Sequence, residues 1–346
     1  MRFYTKQHDF YCGIDLHTNK MYLCILNREG ETVLHRNIRT NPETFLRAIR
    51  PYRQDIVVCA ECMFSWYWLA DLCEDENIPF VLGHALYMRA IHGGKSKNDK
   101  IDSKKIAALL RGGLIPMAYV YPRRMRATRD LMRRRNHLMR KRAELLAHIQ
   151  NTASQYNLPP LGQITHARNR KGLLDCFEDP AVHMSMAVNL DMIETYDYLL
   201  AQLEQEIVKC AKDHDATSYA LLKTIPGVGK IIALVLLYEI ENIARFPRVQ
   251  DFASYCRLVK CAKESNGKKY GTAGKKIGNA HLRWAFSEAA QLFLRGNGAA
   301  QKYHRKLVSK HGKGKALSIL AHKLGRAVYF MLKNRQGFDM NKFLPA

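Results

Sequence analysis

Three apolar runs stand in close succession near the start of the chain: FYCGIDLH (10–17), KMYLCILN (20–27) and TVLHRNI (32–38). Their order, more than any composition, limits what the chain can fold into. The first two are separated by a turn too short for a helix, and Arg28-Glu29-Gly30-Glu31 is a hairpin signal before the third. Strands joined so tightly run antiparallel. Asn41-Pro42-Glu43 then opens a helix that carries to about Tyr52. DIVVCAE (55–61) reads as a buried strand, Ser65 to Glu76 as an aromatic-rich helix, and PFVLG as another strand. A basic loop, a helix after Asp102 and a strand MAYVY (117–121) complete the region.

Three antiparallel strands followed by alternating helix and strand is the order of the ribonuclease H-like fold. It predicts an α/β domain over 1–122. A change of composition marks the next region, 123–214, where Pro122 to Arg142 is rich in arginine and lysine. Leu131, Leu138 and Leu145 repeat as a heptad beneath that charge, with Met132, Met139 and Leu146 beside them. Asn157-Leu158-Pro159-Pro160 breaks the helix, and a basic connector from His166 to Lys171 follows. A second heptad comprises Tyr196, Leu200, Leu203, Ile207 and Cys210. The two predict either an antiparallel pair within one chain or a dimerising coiled coil. The last region, 215–346, is mainly helical with glycine punctuation. In LLKTIPGVGKIIALVLLYEI two apolar helices flank a Pro-Gly-x-Gly turn, the pattern of a helix-hairpin-helix. Gly227 and Gly229 permit a tight turn, and the helix opening at Lys230 offers its amides to a phosphate.

Charge narrows the partner. The chain holds 55 Lys and Arg against 31 Asp and Glu, a net +24. A surplus of that size is self-repelling unless a polyanion relieves it, and nucleic acid does so by releasing counterions. Acids that would balance Arg123, Arg124, Arg126, Arg133, Arg134 and Arg135 are scarce in their own segment, so this helix is expected to present a nucleic-acid face. Cys59 and Cys62 form one CxxC with no second pair, weak grounds for a zinc site. Cys12, Cys24 and Cys59 lie in strand-like runs and suit free buried thiols in a reducing cytosol. No apolar run spans a membrane and MRFYTKQHDFY lacks the core of a signal peptide, so a soluble cytoplasmic protein is expected.

Against this positive background the acids of the first region stand out. Asp15 ends the first strand and Glu61 ends VVCAE, where apolar neighbours demand a partner for each. Asp99 and Asp102, spaced i and i+3, fall on one face where a helix begins. Strands one and four are neighbours in the expected sheet, and the later helix lies at their edge, so all four carboxylates converge. Converging carboxylates stay ionised when hard divalent cations sit between them, and two such ions ~3.5–4 Å apart suit phosphoryl transfer. Taken singly, Asp102 is an adequate helix cap, Asp99 a loop acid and Asp15 a turn residue. Lys97, Lys100 and Lys104, with Lys95 and Lys105, form an approach for phosphates.

GIDLHTNK, AECMFSWYWLADLC and KNDKIDSKKIAALL resemble the Asp, Glu and paired-Asp motifs of the DEDD insertion-sequence transposases. These are relatives of the Piv-type DNA invertases and include recombinases guided by a bridge RNA. The resemblance runs nearly end to end: a RuvC-like domain, a basic coiled-coil region and a C-terminal transposase domain. It implies that Asp15, Glu61, Asp99 and Asp102 bind Mg2+. It implies action on donor and target DNA as a dimer or tetramer, with a structured noncoding RNA choosing both. Beyond the helix-hairpin-helix, FASYCRLVKCAKESNGKKYGTAGKKIGNAHLRWAFSEAA is similar to the family's second motif, in which a serine before a glycine forms a covalent phosphoserine link. That role falls on Ser265, with Lys268, Lys269 and Arg283 to screen phosphate charge. Where the family pattern often has two serines before the glycine, this chain has Ser265 and Asn266, and Ser254 and Thr272 are the alternative hydroxyls. Two other readings remain: a junction-resolving nuclease that uses the acids and water, and a basic scaffold that needs neither. The closing segment, KALSILAHKLGRAVYFMLKNR, reads as a packing helix, with Lys323 and Arg326 available to phosphate.

Overall fold

A mixed sheet organises the N-terminal part of the chain in the computed structural model, which describes residues 2–91, 98–273 and 277–344. The chain divides into two compact units, Met1–Arg124 and Met125–Ala346. The first contains β1 (Phe10–Leu16), β2 (Lys20–Asn27), β3 (Thr32–Arg39), α1 (Pro42–Ile49), β4 (Ile56–Glu61), α2 (Tyr67–Asp75), β5 (Phe80–Gly83), α3 (Ala85–Ile91) and α4 (Asp99–Arg111). The sheet order is β3-β2-β1-β4-β5. β1, β2 and β3 pair antiparallel, and β4 and β5 extend the sheet in parallel from β1. This is the mixed α/β sheet that the order of apolar runs predicted.

Strand periodicity sorts the side chains into two layers. Cys12, Ile14 and Leu16 of β1 join Val58 and Ala60 of β4 in a core with Phe45 of α1 and Leu69 and Cys73 of α2. Tyr11, Val57 and Cys59 face the opposite way, against Ile106, Leu109 and Leu110 of α4. By the same alternation Gly13, Asp15 and Glu61 belong to the α4 side. Burial of Cys12, Cys24 and Cys59 agrees with their expected place as free thiols in the strands.

Three local expectations are corrected here. Met117 to Tyr121 is not a strand: it makes an isolated Gly83–Met117 bridge and two amide bonds, Met117 to the Arg2 carbonyl and Ala118 to the Leu82 carbonyl, rather than a ladder. Pro116 and Pro122 bracket it, each without an N–H. Part of the expected basic loop is the helix α3, whose Met88 packs under β5. Lastly, α4 begins at Asp99, because Asn98 caps it by accepting from the Ile101 amide at 2.8 Å. Both aspartates therefore lie in its first turn. Lys95 and Lys97 lie outside the described residues.

Helices dominate beyond the sheet: α5 (Arg123–Gln155), α6 (Pro180–Lys223), α7 (Lys230–Ile240) and α8 (Val249–Tyr255), then a hairpin of β6 (Cys261–Ser265) and β7 (Lys268–Ala273), then α9 (Ala280–Phe293), α10 (Gly298–His311), α11 (Lys313–Asn334) and α12 (Met340–Phe343). α5 and α6 run antiparallel within the chain, as three cross-pairs show: Arg135 with Glu204, Arg142 with Asp197, and His148 with Asn189. Met186, Ile193, Leu200 and Ile207 are the buried heptad of α6. On α5 the buried stripe runs through Met125, Met132, Leu146 and Ile149, one face round from the expected Leu131, Leu138 and Leu145. α6 kinks at Asp215, whose carboxylate recaps the helix at the Ser218 amide. Among the described residues no helix is long and apolar enough to cross a membrane.

Candidate active site

One missing side chain sets the geometry where α4 crosses the sheet. A Cβ on Gly13 would lie 2.3 Å from the Ala107 nitrogen and 2.4 Å from the Ser103 carbonyl oxygen. α4 therefore rests backbone on backbone across β1. His35 holds the start of the helix from the other side, its Nε2 2.9 Å from the Lys100 carbonyl oxygen. Seated this way, the first turn of α4 brings Asp99 to the end of β1. One oxygen of Asp15, the Nε2 of His17 and one oxygen of Asp99 all lie within 4.8 Å of one another. His17 Nε2 is 3.4 Å from Asp15 Oδ1 and 3.6 Å from Asp99 Oδ1.

Asp102 enters through its charge. Burial pushes the Asp15 carboxyl above its ordinary range; His17 pulls it back, and Asp99 and Asp102 both push it up. Three carboxylates therefore act on one locality, with Lys105 3.4 Å from Asp102 Oδ1. Glu61 ends β4 beside Asp15, since Ile14 pairs with Ala60 in the parallel register. It shares the layer but is not in the close group of donor atoms. Carboxylate oxygens and an imidazole nitrogen suit a divalent cation, and the raised Asp15 is what surplus negative charge at a partly buried site produces. Lys100 and Lys104 are exposed on α4.

The basic helix departs from its expected role. Arg126 and Arg135 are 4% and 7% exposed, so they do not form an outer face. Arg129 and Arg133 both pair with Glu239 of α7, and Arg135 pairs with Glu204 of α6. The acids missing from the segment itself come from helices distant in sequence. Arg123 is exposed and pairs with Asp71 and Asp75, while Arg124 and Arg134 are exposed.

Glu239 is the hub of the C-terminal unit. Burial alone would raise its carboxyl, but the Arg133 hydrogen bond, the charges of Arg129 and Arg133 and the Asn279 amide lower it to about 2. Arg133 Nε donates to Oε1 at 2.7 Å, and Asn279 Nδ2 donates to Oε2 at 2.7 Å. The other end of the Asn279 amide caps α9, accepting from the His281 and Leu282 amides at 2.9 and 3.1 Å. The Gly278-Asn279 pair thus ties the start of α9 to the buried charge.

Ser265 lies at the tip of the exposed β6–β7 hairpin, directly opposite Lys268. Asn266 and Gly267 form its two-residue turn, with φ of 48° and 71°. Both angles are left-handed, as a type I′ turn requires. Among the described residues nothing hydrogen-bonds to the Ser265 hydroxyl. Lys269 on β7 and Arg283 on α9 are exposed, as are Ser254 and Thr272. At the turn before α7, a Cβ on Gly227 would fall 2.5 Å from the Leu292 carbonyl carbon, so packing on α9 requires glycine there. Gly229 is open, and Lys230 pairs with Glu204 at 2.9 Å. Lys323 lies over the Tyr303 and Phe343 rings, an internal cation–π role, and Arg326 is exposed.

Sequence reasoning overlooked His17 and Glu239. His17 stands two positions past Asp15, the spacing that returns to the same face of an extended chain. Glu239 is an acid inside KIIALVLLYEI, where an unpaired charge would be untenable.

A mixed α/β sheet of this order, with acids at the ends of β1 and β4 and at the start of the helix laid across them, followed by a mainly helical region, is consistent with the ribonuclease H-like class. Comparison with known proteins takes the assignment further. Residues 12–158 match the transposase family of the IS110 DEDD type, and residues 219–305 match the transposase family IS116/IS110/IS902. The chain is 21% identical over 342 residues to the transposase for insertion sequence element IS1111A of Coxiella burnetii, covering 94% of this chain and 90% of that protein. It is 24% identical over 335 residues to the transposase for insertion sequence element IS1328 of Yersinia enterocolitica, covering 92% and 95%. The chain belongs to the DEDD transposases of the IS110 family. It is accordingly a DNA transposase, an enzyme whose partner is DNA, in a family that typically uses a divalent metal.

Proposed function

We propose that this transposase cuts and rejoins DNA as the site-specific recombinase of its insertion sequence, with two Mg2+ ions on Asp15, Glu61, Asp99 and Asp102 and with Ser265 as nucleophile. The observation that carries the metal reading is the approach of Asp15 and Asp99, from distant parts of the chain, to within 4.8 Å at a site where Asp15 is raised by burial and by like charge. A divalent cation there would polarise a phosphoryl oxygen and acidify an attacking hydroxyl. The residues supply the donor set, and Lys100 and Lys104 guide phosphate towards it. Lys97 is assigned to the same approach by sequence.

In the serine reading, Ser265 Oγ attacks phosphorus and a new O–P bond forms. The leaving strand departs through its sugar oxygen, which takes up a proton. Attack by an incoming strand hydroxyl reverses these events, so the ester conserves the bond and rejoining needs no nucleotide cofactor. Lys268, Lys269 and Arg283 screen phosphate charge around the hairpin. The three regions divide the work: 1–122 as the RuvC-like catalytic domain, 123–214 as the basic coiled-coil region, and 215–346 as the transposase domain with its helix-hairpin-helix. Arg123, Arg124 and Arg134 are the exposed arginines of the grip on nucleic acid; Gly229 and Lys230 offer a backbone-phosphate contact. A structured noncoding RNA as guide, and a dimer or tetramer as the working form, follow from the family resemblance.

A second reading is favoured by one observation: among the described residues no hydrogen bond joins the Ser265 hydroxyl to a base. In that reading water attacks and the enzyme resolves DNA junctions. Two variants decide. Ser265→Ala abolishes the covalent protein–DNA product under the serine reading, and full-rate strand cleavage by that variant replaces it with the water reading. Asp102→Asn abolishes activity under both; if it still recombines DNA, the metal assignment is wrong. Sequencing co-purified RNA tests guidance: one defined species supports it, and bulk cellular RNA refutes it.

A further inference from the structure

His17 belongs to the acidic site by geometry although the four-acid pattern does not include it. Its backbone is held at two points, its amide donating to the Lys20 carbonyl at 3.3 Å and its carbonyl accepting from Thr40 Oγ1 at 2.9 Å. The ring is therefore rooted in the turn between β1 and β2. It presents one nitrogen, Nε2, to two carboxylates, at 3.4 Å from Asp15 and 3.6 Å from Asp99. Both separations exceed the ~2.7–2.9 Å of a charge-assisted hydrogen bond. They match the edge of a coordination shell instead. Two donors, each ~2.0–2.2 Å from one ion and subtending an angle of about 90° to 109°, stand ~2.8–3.6 Å apart. The His17 side chain is 56% exposed and that of Asp15 18%, so the imidazole forms the open side of the group.

We propose that His17 Nε2 is a direct ligand of the divalent cation held by Asp15 and Asp99, placing one nitrogen among oxygen donors. The inference rests on the metal reading above and adds a residue and a selectivity to it. A site made of carboxylates alone suits Mg2+, whereas imidazole shifts preference towards Mn2+ and other first-row ions. The competing account makes His17 an imidazolium that neutralises the two acids and gives way when a cation arrives. The two accounts oppose each other in sign. Removing a ligand weakens metal binding; removing a competing positive charge strengthens it or leaves it unchanged.

The experiment uses the full-length protein and Mn2+ as the probe, with affinity from an electron paramagnetic resonance titration and ligand identity from pulsed measurement of nitrogen-14 modulation. The wild-type protein is expected to show imidazole nitrogen coupled to bound Mn2+. His17→Ala is expected to lose that coupling and to bind Mn2+ about tenfold more weakly or worse, with a smaller loss for Mg2+. His17→Gln, which keeps a neutral polar side chain, is expected to lose the nitrogen signal too, with circular dichroism reporting that both variants fold. Absence of nitrogen coupling in the wild type, its survival in His17→Ala, or unchanged or tighter Mn2+ binding in that variant overturns the proposal. Asp15→Asn separates the two levels of inference. If it loses Mn2+ while His17→Ala binds as well as wild type, the His17 assignment alone fails. If the wild-type protein binds no Mn2+, the metal reading and the His17 ligand fall together.

Discussion

Asp15 and Glu239 are both carboxylates withdrawn from water, yet their acidities move in opposite directions. Asp15 is raised, by burial first and by Asp99 and Asp102 as well, with His17 opposing. Glu239 is more deeply buried and ends at about 2, because two guanidinium groups and the Asn279 amide outweigh the burial. The difference separates two uses of charge in one chain. Around Glu239 the fold supplies its own counter-charges and the result is architecture. Around Asp15 it gathers like charges, with His17 and Lys105 near them, and the proposed cation site rests on that surplus.

The largest expected effect breaks the Asp15 side of this contrast. Asp15→Asn should lower DNA cleavage on the order of 10^4-fold, about 5 kcal/mol of transition-state stabilisation, while its thermal midpoint stays level or rises because a repulsive charge is gone. A variant that unfolds instead would show that Asp15 is structural. Glu239→Ala should behave in the reverse manner, losing about 3–5 kcal/mol of stability because Arg129 and Arg133 lose their shared buried counter-charge; urea unfolding measures it. Gly13→Ala lies between the two, since the added methyl must push α4 off β1. It should cost about 1–3 kcal/mol and weaken metal binding at the same time, as a metal titration alongside urea unfolding would reveal. Neighbouring arginines give the smallest and sharpest test. Arg135→Ala should lose about 1–3 kcal/mol of stability through its bond to Glu204. Arg134→Ala should stay within about 0.5 kcal/mol of wild type but lower DNA affinity and the slope of binding against salt.

Acid titration sharpens the Glu239 side. The carboxyl is lowered from 4.5 to about 2, so its stabilising contribution is complete above pH 4.5 and lost as pH falls towards 2. Acid unfolding followed by circular dichroism should therefore fall more steeply over that window in the wild-type protein than in Glu239→Gln.

The sheet was legible because its signals are local. Alternation in FYCGIDLH and KMYLCILN fixes both strand and face, and Arg28-Glu29-Gly30-Glu31 fixes how they join. The acids at strand ends were legible for a related reason, since each stands at the end of an apolar strand run. Met117 to Tyr121 was misread because its apolar character is strand-like while flanking prolines deny it a ladder. The basic helix was misread because balance was sought along the chain. Glu239, Glu204 and Asp197 reach those arginines through tertiary packing, which no window of the sequence contains. His17 was missed for want of a geometric reason to look at it: only the seating of α4 shows that Asp99 comes close enough for an imidazole to stand between it and Asp15.

Gly13 gives that seating a further meaning. Where α4 crosses β1 at Gly13 the approach is main chain to main chain, with no side chain in that gap to yield or to be repacked. On the proposed metal reading Gly13 acts as a gauge for the site: it sets how closely the start of α4 approaches β1, and a change of one methyl group would alter the spacing of the acids without touching any of them.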